Sequence, residues 1–172
     1  HFRKVKRAED VILMYDLLSK EMPSKLLMVG DGPERQKCEE LCRELKICEA
    51  VKFLGKQEAV EELFAISDLM ILPSESESFG LAALEAMACH VPVLASDTGG
   101  LPELIENGIN GYMCPVGDVA SMALYAKKIL ASDESLSLFK KQAYQTAQKF
   151  DIKIILPQYE ALYNKILAES KS

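Results

Sequence analysis

The sequence predicts an α/β fold, a Rossmann-like, doubly wound parallel sheet flanked by helices. Two observations predict it. Short apolar runs are continuous rather than alternating, as strands covered on both faces require. Between them lie amphipathic stretches at helical spacing, and strand–helix alternation of this kind demands right-handed crossovers into a parallel sheet.

The elements follow in order. Residues 8–21 place Val11, Ile12, Tyr15 and Leu18 on one helical stripe. No strand precedes that helix, although the pattern wants one just upstream of His1, so the first strand is expected to be missing. "KLLMVG" (25–30) is the first strand present, followed by a helix over 33–46 with Pro33 in its first turn, where a missing N–H does no harm. "VKFLG" (51–55), "DLMILP" (68–73) and "VPVLAS" (91–96) are further strands, and "GYMCPV" (111–116) is a shorter fifth. Helical patterns over 57–66, 80–89 and 101–106 separate them, and 118–131 follows with Asp118 as N-cap. In "FDIKIILPQYEALYNKIL" (150–167), Ile152, Ile155, Tyr159, Leu162, Tyr163 and Ile166 keep helical spacing, and Pro157 must kink or restart the helix.

The 172 residues suffice for one domain with a full core. Net charge is −6 with acids and bases interspersed, which argues against nucleic-acid or anionic-membrane binding. No apolar run is long enough to span a bilayer. Five scattered cysteines fit reduced thiols and a cytoplasmic setting. Cys38 and Cys42 lie one helical turn apart, yet no ligand-spaced His or second Cys pair accompanies them, so two thiols on a buried helix face are the expectation and no metal site is predicted. "GDGPER" (30–35) supplies Gly30 and Gly32 after a strand, but Arg35 occupies the third glycine's place of a dinucleotide fingerprint.

Open α/β sheets bind ligands beyond the carboxyl ends of their strands. There "SESESFG" feeds a helix of small and apolar residues that contains one acid, Glu85, among Leu81, Ala82, Leu84, Ala86 and Met87. Such an acid either reaches solvent or needs partners. Glu77 precedes it by seven intervening residues, and a helix starting near Phe79 sets Glu85 roughly 8–9 Å along the axis. Between the two carboxylates, the N–H groups of Gly80 and Leu81 suit an anion. A ribose diol offers two donors that Glu85 can accept, and Glu77 can do the same for sugar hydroxyls. Anion site, diol acceptor and sugar acceptor in a row describe a nucleoside diphosphate sugar.

"ESFGLAALEAMACHVPVLASDTGGLPELIENGINGYMCPVGD" resembles the signature of the GT-B retaining glycosyltransferases, the large family that includes sucrose synthase and the phosphatidylinositol mannosyltransferases. The E-x7-E pair, Glu77 and Glu85, is its hallmark; "VGDGPER", "VKFLGK" and "DTGGLPELI" also match, in order over nearly the whole chain. "HFRKVKR" is most similar to the branch that joins N-acetylglucosamine to L-malate in bacillithiol synthesis. The resemblance implies that residues 1–172 are a C-terminal domain binding a UDP-sugar, with the helix over 150–168 crossing back to an absent N-terminal domain that binds the acceptor. It further implies an Arg and a Lys on the diphosphate. Lys6 fits the lysine; the arginine position falls on His1, and Arg3 is the substitute. Phe79, Gly80 and Leu81 fall at the substrate-binding helix start, and Lys52 at a contact with the uracil ring made largely through backbone. His90 stands where the family has a helix-ending glycine.

In that family the leaving phosphate is thought to take the acceptor's proton during front-face attack, and no cofactor is implied. Two other classes stay open at this point. A nucleotide-sugar epimerase or phosphorylase of related fold needs an added base or a cofactor lysine, which no residue here offers. A module that binds UDP-sugars without turnover needs only the donor site. Blander readings also exist: "SESES" as a solvated loop, Arg3, Lys4, Lys6 and Arg7 as a solvated basic start, and Gly99, Gly100 and Pro102 as a tight turn.

Overall fold

The computed structural model describes residues 2–169. In chain order it has α1 (Ala8–Ser19), β1 (Leu26–Val29), α2 (Arg35–Glu44), β2 (Val51–Gly55), α3 (Val60–Ala65), β3 (Met70–Leu72), α4 (Leu81–Ala88), β4 (Val93–Ser96), β5 (Gly111–Cys114), α5 (Val119–Ile129), α6 (Asp133–Gln148) and α7 (Ile152–Glu169), with 3-10 turns at Lys4–Lys6 and Leu101–Glu103. Every strand pairing is parallel. β1 pairs with β2, and β4 lies between β3 and β5. The strands thus form two sheets, and β1 and β3 each keep an open edge. Among the described residues, only β4 is a strand buried along its whole length. β3 is half-buried throughout despite its apolar sequence, because it has a neighbour on one side only.

Helices cover both faces. Leu94 of β4 faces a core built with Phe2, Ile12, Tyr15, Cys38 and Met122 from the α1, α2 and α5 side. Its neighbours Val93 and Ala95 face the opposite core with Ala86, Met87, Leu101 and Ala143 of the α4 and α6 side. One strand therefore serves two cores, as period-two alternation requires. Asp118 caps α5 as expected, its carboxylate accepting from the Ser121 N–H at 3.0 Å.

Three expectations are corrected. The helix over 101–106 is only a 3-10 turn, because buried Asn110 claims the chain beyond it: its amide donates to the Leu104 carbonyl and to Thr146 Oγ1, both at 2.9 Å, and accepts from Glu106 N–H at 2.8 Å. Residues 133–148, for which no helix was expected, form α6; Ser132 caps it and Phe139, Ala143 and Ala147 bury one stripe. α2 starts at Arg35 and leaves Pro33 outside. α7 runs on through Pro157 as one helix, at the loss of a backbone bond. Apart from half-buried Ile155, its large apolar side chains are exposed, Ile152 at 67% and Tyr163 at 63%. No helix among the described residues is long and apolar enough to cross a membrane.

α4 ends in a Schellman arrangement, with Val91 N–H on the Ala86 carbonyl and His90 N–H on that of Met87. His90 holds the left-handed position at φ 61°, where glycine is usual, and its ring stacks on Tyr144 with centroids 4.0 Å apart. Glycine there relieves backbone strain of roughly 1–2 kcal/mol and forfeits a ring pair contributing about 0.5–1.5 kcal/mol. Denaturant unfolding is expected to put His90→Gly within about 1 kcal/mol of the parent and His90→Ala below both; an unchanged His90→Ala would mean the stack contributes nothing.

Cys38 and Cys42 are buried in the α1–α2 core, and burial pushes these thiols and Cys114 up to about 11. They stay protonated and unreactive near neutral pH. A disulfide reagent at mildly alkaline pH is expected to label exposed Cys48 at once and Cys38, Cys42 and Cys114 only after denaturation. Rapid native labelling of Cys38 would contradict this packing.

Candidate functional site

The site begins with the segment before α1. Phe2 is buried, its ring set edge-on to Phe53 of β2 at 6.3 Å. Its N–H donates to the Asp31 carbonyl and its own carbonyl accepts from Glu34 N–H, each at 3.0 Å. A Cβ on Gly32 would lie 2.5 Å from that carbonyl. The glycines of "GDGPER" therefore let the turn close on Phe2. From there the chain reaches the carboxyl end of the other sheet: the Val5 carbonyl accepts from Glu75 N–H at 2.8 Å.

The loop after β3 starts with Pro73 and Ser74, both buried, and carries Glu77 half-buried. Lys6 Nζ donates to Glu77 Oε2 at 2.5 Å, and the Ser74 hydroxyl lies 3.5 Å from the same oxygen. Two predicted site residues 71 positions apart are thus brought into contact. The loop rests on the Gly99–Gly100 backbone. A Cβ on Gly99 would lie 1.6 Å from the Glu77 carbonyl, and one on Gly100 would lie 2.6 Å from that of Ser78. This pair is a support for the Glu77 loop rather than a turn alone, since any side chain there displaces it.

Gly80 is the N-cap of α4, with no side chain capping the helix. Leu81 and Ala82 are exposed, and the first-turn amides of α4 have no carbonyl four residues back to serve them. The helix starts at Leu81 rather than near Phe79, setting Glu85 about 6 Å along from its first residue. Glu85 is exposed, which corrects the picture of an acid embedded among apolar groups. Helical geometry explains it: Ala83, Ala86 and Met87 form the buried stripe, and Glu85 projects from the other side. It lines a surface cleft of about 340 Å³ with Val60, Glu61, Phe64, Ala88 and Cys89.

The remaining predicted residues stand apart. Arg3 is exposed ahead of the 3-10 turn; its carbonyl accepts from Lys6 N–H at 2.8 Å, but no hydrogen bond or ion pair holds its guanidinium among the described residues. The arginine position at His1 lies outside the described residues. Lys52 is exposed as the second residue of β2, and among the described residues no hydrogen bond or ion pair links it to the others. Phe79 turns its ring edgewise to Phe150 at 5.7 Å, so its side chain packs inward and only its backbone faces the loop.

Sequence reasoning passed over Arg7 and its partners. The solvated alternative for the basic start does not hold for Arg7: its guanidinium binds both oxygens of buried Asp10 and reaches Glu75 Oε1 at 2.9 Å. Those bonds hold its proton even more firmly than usual. The signal available was the Arg7–Asp10 spacing, one turn of helix.

Residues 1–146 match the family described as glycosyl transferases, group 1. The chain is 44% identical over 173 aligned positions to the Bacillus anthracis protein named N-acetyl-alpha-D-glucosaminyl L-malate synthase, covering all of this chain and 45% of that one. Among solved structures, sucrose-phosphate synthase from Thermosynechococcus elongatus superposes with a TM-score of 0.85 at 28% identity, over 98% of this chain and 44% of its own. Anabaena HepE, in complex with UDP-glucose, superposes with a TM-score of 0.83 at 28% identity, over 95% of this chain and 47% of its own. The chain thus spans less than half the length of each of these relatives.

Proposed function

This chain belongs to the glycosyl transferases group 1 family, and on that premise we propose that it is the donor-binding C-terminal part of a retaining glycosyltransferase. In this reading N-acetylglucosamine passes from UDP to L-malate, a step of bacillithiol synthesis in the cytoplasm. The carrying observation is the Lys6–Glu77 contact at the start of α4, with Glu85 further along the same helix on an open cleft. The B. anthracis relative's name supports the sugar and the acceptor; the HepE complex supports the UDP donor.

The chemistry follows from charge. Breaking the glycosidic bond leaves a nucleoside diphosphate, and negative charge grows on its β-phosphate. Lys6, with Arg3 as a second cation and the first-turn amides of α4, answers that charge; one fixed donor of this kind contributes about 2.7–4 kcal/mol in comparable sites. Glu77 accepts from sugar hydroxyls and Glu85 from the ribose diol. Gly80, Leu81 and the Phe79 backbone line the donor's path at the start of α4.

Two structural features support the division of labour. The open edges of β1 and β3 leave room for one more parallel strand ahead of Phe2, which would merge the two sheets into one. The exposed apolar length of α7 suits packing against a second domain that binds the acceptor. Transfer needs such a domain to close over the donor and exclude water.

Because Glu85 is exposed, its replacement leaves the fold intact. Calorimetry on the complete protein as its gene encodes it is expected to show Glu85→Ala weakening UDP binding by about 1.5 kcal/mol or more, the scale of a hydrogen bond to a charged group. Unchanged affinity would remove the ribose assignment. Residues 1–172 alone are expected to give no glycoside from UDP-N-acetylglucosamine and L-malate; measurable product would overturn the half-enzyme reading.

A further inference from the structure

Lys6 and Glu77 do not hold each other in place unaided. Arg7, the next residue, uses all three guanidinium nitrogens. Nε and Nη2 donate to the two oxygens of Asp10 at 2.6 and 3.2 Å, and Nη1 donates to Glu75 at 2.9 Å. Asp10 is buried in α1, whereas Glu75 sits exposed on the loop two residues before Glu77. One side of the fork is anchored in the body of the domain and the other grips the loop. The Arg7 backbone is left-handed, φ 47° and ψ 45°, a conformation uncommon outside glycine. That bend ends the 3-10 turn and starts α1, and it lets neighbouring side chains reach one loop at two points. A Cβ on Gly117 would lie 2.9 Å from Arg7 Nη2, so the loop after β5 closes the clamp from the far side.

We propose that Arg7 is a positioning residue: it locks the β3–α4 loop to the N-terminal segment and so sets where Lys6 and Glu77 stand against a bound donor. The proposal rests on the donor-site reading above. A lysine cannot substitute, because a point charge lacks the planar fork that serves two carboxylates at once.

The test uses the complete protein with UDP-N-acetylglucosamine, reading UDP release with L-malate or water as acceptor. Glu75→Ala cuts the loop-side arm only. It is expected to lower kcat about tenfold, within the roughly 10²-fold that a 1 Å misplacement of reacting groups costs. The donor KM and the Tm stay near the parent values. Glu75→Gln, whose amide oxygen still accepts from Nη1, restores kcat, and Arg7→Lys falls as Glu75→Ala does. Unchanged kcat in Glu75→Ala and Arg7→Lys, where Lys6→Ala is inactive, overturns the clamp. So does a fall in kcat that tracks Tm and that Glu75→Gln does not rescue. Full activity of Lys6→Ala overturns the donor-site reading itself, and the clamp's purpose with it.

Discussion

The segment from Phe2 to Arg7 is what makes one site out of two sheets. At its start it is fastened to the carboxyl ends of β1 and β2 through the Phe2 backbone and the Phe2–Phe53 contact. At its end it is fastened to the loop after β3 through Val5, Lys6 and Arg7. β1 and β3 share no hydrogen bonds, so the relative placement of their loops depends on this strap and on the core beneath it. A partly exposed ion pair such as Lys6–Glu77 contributes little to stability, about 0–1 kcal/mol. Its value is geometric: it fixes a cation and a carboxylate side by side where two elements meet.

The loop that carries Glu77 is supported from three directions. Gly99 and Gly100 lie beneath it without side chains, Thr98 donates to the Glu75 carbonyl at 3.0 Å, and Arg7 holds its outer edge. A loop tied at both main chain and side chain keeps a polar constellation in register without a large apolar contact of its own. α4 continues the arrangement with a buried face of Ala83, Ala86 and Met87 and a solvent face bearing Glu85. That face packs in one core with Val93 and Ala95 of β4 and Leu101 of the 3-10 turn, while the acid stays available to a ligand.

Much of this was legible in the sequence, for physical reasons that differ by element. Five strands stood out because buried parallel strands are written as continuous apolar runs. Asp118 stood out because a capping carboxylate has few other local uses. Glu77 and Lys6 were legible through motif spacing, but their contact was not, since it joins residues far apart in the chain. α6 was hidden because its buried stripe is Phe139 with small alanines rather than large apolar residues. Glu85 was misjudged for the opposite reason: alanines on both faces of α4 look uniformly apolar, and composition does not say which side points outward. Arg7 was overlooked because a basic run reads as solvated until its acidic partners, one buried and one distant, are brought to it by the fold.

α7 carries a different consequence. Ile152, Tyr159, Leu162 and Tyr163 are all more than half exposed on it, a contiguous oily ridge with few charges to keep copies apart. A bare ridge of this kind favours self-association that grows with concentration, and whatever shields it acts as a solubiliser.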